Sequence, residues 1–310
     1  MITFVMWASF NVATEANAQN LRNTISNANL GSGYAHFLHI TSESTLSSAT
    51  YDVRSGNNDT SYSIYRLPWE ASLFRGPKQI ALLGRFHAGF ITVGNDFELS
   101  PTSLGPGTIA ADWYVASASG GLGLRIPLVW GLSIKPSFDA GLARLESQAK
   151  YFGSATNLQP LLDGLLFRWK SYAYFLTPSL RAEWERSWDR HKLYVTSRLA
   201  GSWMKSFAES DEVVAFSEPA YGYNLRGEWI EALPFTFLER TFSAVFLAGF
   251  AGFFGPNRDV LGFSYVGEVG GGMQAPIFLR YPNLPALRVS GSYLRGDGVS
   301  GWTIGASLAS

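Results

Sequence analysis

The sequence predicts an all-β fold, a 12-stranded antiparallel transmembrane β-barrel preceded by a short N-terminal lumen segment that reads as a helix or plug. Three observations predict it. The first is long two-faced alternation. Between Ser171 and Arg186, one face carries Tyr172, Tyr174, Leu176, Pro178, Leu180, Ala182 and Trp184, and the other carries Ser171, Ala173, Phe175, Thr177, Ser179, Arg181, Glu183 and Glu185. A period of two is the signature of a β-strand, and soluble strands usually stop near about five or six residues. A barrel in lipid explains the extra length, with apolar side chains outward and polar ones inward. The second is composition: only 15% of the 310 residues are charged, against about 25% in a typical soluble domain, while 10 Trp and 14 Tyr bring aromatics to 15%. The third is that no run of about twenty apolar residues exists to make a spanning helix.

Residues 1–30 form the predicted N-terminal segment, and residues 31–310 the barrel. The stretch Met1 to Ala18 has an apolar run and an Ala16-Asn17-Ala18 cleavage-like pattern without a basic leader. It reads equally as a signal remnant or as part of a helix over about residues 8–29. The predicted strands are 33–45, 60–74, 79–93, 110–127, 131–148, 167–187, 191–206, 221–232, 240–254, 260–275, 286–296 and 299–309. Long connections follow strands 3, 5 and 7 and tight ones follow strands 2, 4 and 6, as in a barrel with outward loops and inward turns. Pro136 and Pro178 fall inside strands and predict bulges, because proline removes a ladder hydrogen bond. Phe242 to Phe254 is apolar on both faces, so its inner side requires a partner in the lumen. The N-terminal segment is the natural one.

The charged residues of the predicted inner faces are Arg85, Arg125, Lys135, Asp139, Arg181, Glu183, Arg198, Arg226, Glu228, Glu268 and Arg288, with His87 among them. Rings of fixed charge can form a selective constriction, whereas mixed signs favour an ion-pair lattice bracing the wall. Trp69, Trp130, Trp184, Trp203, Trp229 and Trp302 lie near strand ends, where an indole anchors at a membrane interface. Catalysis by a nucleophile needs a base within hydrogen-bond reach. Of the four histidines, His36 and His39 fall on opposite faces of the predicted first strand, His191 falls in a turn, and His87 has no serine signature beside it. No catalytic, cofactor or metal site is predicted. The absence of cysteine removes disulfides and thiolate ligands, and a net charge of zero gives no basis for nucleic-acid binding.

Twelve strands, a leading segment able to enter the lumen, and a strand that ends the chain resemble the translocator barrel of bacterial autotransporters. With about thirty residues before the first strand, the chain resembles the solitary barrels of this type, which carry no passenger. The ending Thr303-Ile304-Gly305-Ala306-Ser307-Leu308-Ala309-Ser310 is similar to the outer-membrane assembly signal, except that Ser310 stands where an aromatic residue would. The resemblance implies the outer membrane of a Gram-negative bacterium, contact with outer-membrane lipid, and assembly machinery acting through the C-terminal strand. The expected role is structural, transport-related or surface-interacting, without enzymatic activity. A diffusion channel for a small solute is the alternative, followed by a barrel-borne hydrolase and by a soluble all-β protein.

Overall fold

A computed structural model of the chain describes residues 39, 49–55, 58–99, 106–164, 166–211, 214–237, 240–255, 264–276 and 286–309. Among the described residues twelve strands occur in order: β1 (Ala49–Ser55), β2 (Asn58–Arg75), β3 (Ala81–Leu99), β4 (Gly107–Pro127), β5 (Leu132–Gly153), β6 (Lys170–Trp188), β7 (His191–Phe207), β8 (Ser217–Phe237), β9 (Arg240–Phe254), β10 (Tyr265–Pro276), β11 (Ala286–Gly296) and β12 (Val299–Ala309). Each pairs antiparallel with its sequence neighbours, and β1 pairs with β12, closing the sheet into a barrel. Closure leaves no sheet edge, the condition under which strands can cross lipid. β5 has 22 residues, about twice the 9–11 that a bilayer demands of a tilted strand. The barrel wall therefore extends well beyond a hydrocarbon layer.

Strands β2 to β12 follow the predicted segments closely. The first does not. His39 is helical and fully buried, and β1 begins at Ala49, so a strand over 33–45 is contradicted at the described position. The 1–30 segment, His36 and the cleavage-like pattern lie outside the described residues.

The bulges expected at Pro136 and Pro178 do not occur. Pro136 pairs with Leu180 and Phe138 with Pro178 in unbroken register along β5 and β6. Each proline instead leaves a local gap in its other ladder: β4–β5 pairing resumes at Ile126 with Ile134, and β6–β7 pairing at Ser179 with Ala200, with no residue inserted. Losing one N–H thus costs a ladder bond without displacing the strand. Register shifts occur elsewhere, between Ser72 and Phe74 of β2 and between Ala232 and Thr236 of β8.

Tight turns make the β4–β5 and β6–β7 joints possible. Trp130 and Gly131 both adopt positive φ (57° and 80°), and a Cβ on Gly131 would collide with the Glu185 carbonyl, so only glycine fits there. At the other end, the described residues between β5 and β6, 154–164 and 166–169, fold back onto the barrel. They form a 3-10 turn (Ser154–Leu158) and a single-turn helix α1 (Gln159–Leu162).

Candidate functional site

The barrel interior changes character along its axis. On β3 the inner face runs from Arg85 and His87, near the tight-turn end, to Ile91, Val93 and Phe97, near the long connections; on β5 it runs from Lys135 and Asp139 to Leu145 and Ala149. One half is a belt of charge, and the other an apolar core. The second half departs from the sequence expectation of a largely polar inner face, because connecting segments fold inward and give apolar wall residues partners to pack on.

Strands β2 to β7 build the first charge network. The Arg85 guanidinium lies 2.9 Å from an Asp139 oxygen and 3.6 Å from Glu70, and it donates to Ser137 Oγ. Lys135 bridges Glu70 at 2.8 Å and Glu183 at 3.0 Å. Arg181 reaches Glu183 at 3.4 Å and Glu70 at 3.7 Å. His87 Nε2 lies 3.2 Å from Arg85 Nη2. Since a guanidinium only donates, Nε2 accepts and the neutral ring carries its proton on Nδ1. Arg198 is buried opposite Arg181 in the β6–β7 register and acts electrostatically on Asp139 and Arg85.

A second network spans β8 to β12. Arg226 contacts Glu228 at 2.9 Å and Glu268 at 3.3 Å. Arg288 meets Glu228 at 2.5 Å and donates to Gln274 Oε1 at 2.9 and 3.1 Å. Ser292 donates to Glu268. Tyr194 stands between the networks, hydrogen-bonded to Glu183 and within electrostatic reach of Glu228. Buried charges need opposite partners, and each carboxylate of these networks has at least one. Glycines supply the room: a Cβ on Gly121 would overlap Asp139, and one on Gly249 would come within 3.3 Å of Glu268 Oε2. Arg125 stays apart, exposed near the turn end of β4 and in no ion pair among the described residues.

The apolar half centres on Phe167 and Trp169 of the β5–β6 connection, both almost fully buried. The Phe167 ring lies 6.1 Å from Phe97 and from Trp113, and meets Tyr151 edge-on at 6.2 Å. Asp163 ties this segment down, accepting from Tyr151 at 2.8 Å, Gln159 at 3.1 Å and Arg168 at 3.2 Å. Val214 and Phe216, from the β7–β8 connection, join the same core. Deeper in, His39 Nδ1 lies 2.8 Å from Ser202 Oγ, which lies 2.8 Å from Thr177 Oγ1. The His39 ring sits edge-on to Phe253 at 6.5 Å and over Gly222, where a Cβ would approach Nε2 to 2.7 Å. The inner side of the doubly apolar β9 therefore meets a residue from ahead of the first strand.

The tryptophans divide. Trp69, Trp203 and Trp302 are more than half exposed on the outer wall, and Trp130 projects from its turn. Trp184 donates to the Trp130 carbonyl at 3.0 Å, and Trp229 packs edge-on against Trp188 at 5.2 Å.

Residues 36–224, more than half of the chain, match the solitary outer membrane autotransporter β-barrel domain family. The chain belongs to that family. It is thus an outer-membrane barrel of autotransporter type, from a Gram-negative bacterium. Among solved structures it is similar to the transport unit of the autotransporter AIDA-I from Escherichia coli, with a TM-score of 0.53 at 11% identity over 90% of this chain and 96% of that one. It is also similar to the translocator domain of the autotransporter NalP from Neisseria meningitidis, with a TM-score of 0.50 at 12% identity over 92% and 96% of the two chains. At such identities the likeness establishes the fold. Curated proteins give no match.

Within this family member, sequence reasoning missed Glu70, which touches Arg85, Lys135 and Arg181. The signal was available: Glu70 falls on the face of β2 opposite Leu67 and Trp69. Arg66 shares that face with Tyr62 and Ile64, so parity alone would have placed both Arg66 and Glu70 inward. Phe167 and Trp169 fall at the start of the predicted strand 167–187, on its inward parity, whereas the structure sets them in the connection ahead of β6; their seat among Phe97, Trp113 and Tyr151 carried no local signal.

Proposed function

We propose that this outer-membrane barrel is closed at rest and serves a structural or surface-interaction role rather than passing solutes by diffusion. The observation that carries the reading is the burial of Phe167 and Trp169 among Phe97, Trp113 and Tyr151 at the long-connection end. An apolar cluster packed at core density excludes water and ions. Below it, the paired charges brace the wall instead of presenting a free ring to a passing ion. The seat of His39 against Ser202, Gly222 and Phe253 supports a further part of the proposal, that the N-terminal segment is a lumen plug. The barrel is proposed to act without enzymatic activity, in contact with outer-membrane lipid, and to enter the membrane through assembly machinery that engages its C-terminal strand. Liposome swelling tests the closed state. Vesicles carrying the protein should not swell in isosmotic arabinose, and should swell once residues 154–168 are replaced by a short Gly-Ser linker and the segment ahead of β1 is removed. Rapid swelling with the unaltered protein overturns the proposal.

A further inference from the structure

On the outer wall, β5 to β7 carry a group of cations beyond their apolar band. Leu142, Leu176 and Leu199 face outward nearer the tight turns. Next come the aromatic rings of Tyr172, Tyr174 and Phe207, with Tyr172 and Tyr174 within 6.1 and 6.4 Å of Phe207. Arg144, Lys170 and Lys205 project at and just beyond this girdle: Arg144 pairs in register with Tyr172, and Lys205 with Tyr174. One carboxylate lies among them, Glu146, 2.6 Å from Arg144 and 3.7 Å from Lys170. Lys205 enters no ion pair among the described residues. The corresponding stretch of β3 carries the carboxylates Asp96 and Glu98, so the positive surface is confined to one side.

Interfacial aromatics mark the depth at which headgroups begin, and long connections mark the outward side. Three cations with one carboxylate at that depth face phosphates, and the rings between them offer stacking surface to a sugar. We propose that the outer face of β5 to β7 binds the phosphorylated glycolipid of the outer leaflet through Arg144, Lys170 and Lys205. The inference rests on the outer-membrane reading and on the long connections facing outward.

Bisphosphorylated lipid A, titrated into the full-length protein in uncharged detergent micelles and followed by native mass spectrometry, tests it. Each basic side chain near an anionic headgroup contributes about fivefold to binding, so the Arg144→Gln, Lys205→Gln double variant should bind about 25-fold more weakly. Lipid A stripped of both phosphates should lose binding to the unaltered protein. Equal affinity of variant and unaltered protein, or no dependence on the phosphates, overturns the proposal. Phosphatidylglycerol binding as tightly as lipid A also overturns it, because the patch then answers to any anionic lipid. Heat-modifiable gel mobility, recorded on the same samples, keeps this separate from failure of the barrel reading: both side chains are exposed, so the double variant should retain it.

Discussion

Replacing Asp139 by Asn removes the charge facing Arg85 while keeping the side chain's shape. The pair lies 2.9 Å apart, with side chains only 2% and 4% exposed. At an effective dielectric of about 20, charges at that separation attract by roughly 5.7 kcal/mol, and breaking a buried pair by losing one partner costs about 3–5 kcal/mol. Glu70, 3.6 Å from Arg85, retains part of the compensation, but Lys135 and Arg181 share that carboxylate. The expected loss is therefore near the lower end, about 3 kcal/mol. Removing both charges, as Arg85→Met with Asp139→Asn, leaves no uncompensated guanidinium and should cost less than the Asp139→Asn change alone. Urea unfolding of the refolded barrel in micelles, followed by tryptophan fluorescence, gives all four corners of the cycle. Additive single effects would refute the view that the lumen charges brace one another.

Other substitutions probe other parts of the interior. Phe167→Ala empties the centre of the apolar half and should cost about 3–5 kcal/mol, read from the same urea midpoint. Gly141→Val places methyl groups against the Phe175 ring and the Ala118 carbonyl; overpacking of this kind costs roughly 1–3 kcal/mol, visible as a smaller folded fraction on unheated gels. Ser202→Ala removes the hydroxyl between His39 and Thr177. It should lower stability by about 1 kcal/mol and speed protease cleavage ahead of β1, with unchanged cleavage arguing against the seat.

Much of this wall was legible from β2 onward because a strand with one face in lipid must alternate without interruption, as Tyr172 to Trp184 does. The prolines misled because a missing N–H was equated with an inserted residue, whereas the neighbouring register absorbs the loss. The first strand was misplaced at His39, which is helical and fully buried. Inner charges such as Arg226 and Glu228 could be assigned to a face from parity alone. Which cation meets which carboxylate could not, since Glu228 meets Arg288 across sixty positions of sequence, and only closure of the barrel brings them together. The apolar half was hidden for a related reason: Phe97, Trp113 and Phe167 belong to two strands and a connection, and no local pattern joins them.

The lumen is proposed to be sealed by its own side chains. Single-channel recording of the full-length protein in a planar bilayer tests it most directly. A sealed barrel predicts insertion without steady current across ordinary holding potentials, and stable conductance steps only after residues 154–168 are replaced and the segment ahead of β1 is removed. Steady open-state current from the unaltered protein, unaffected by that replacement, would contradict it.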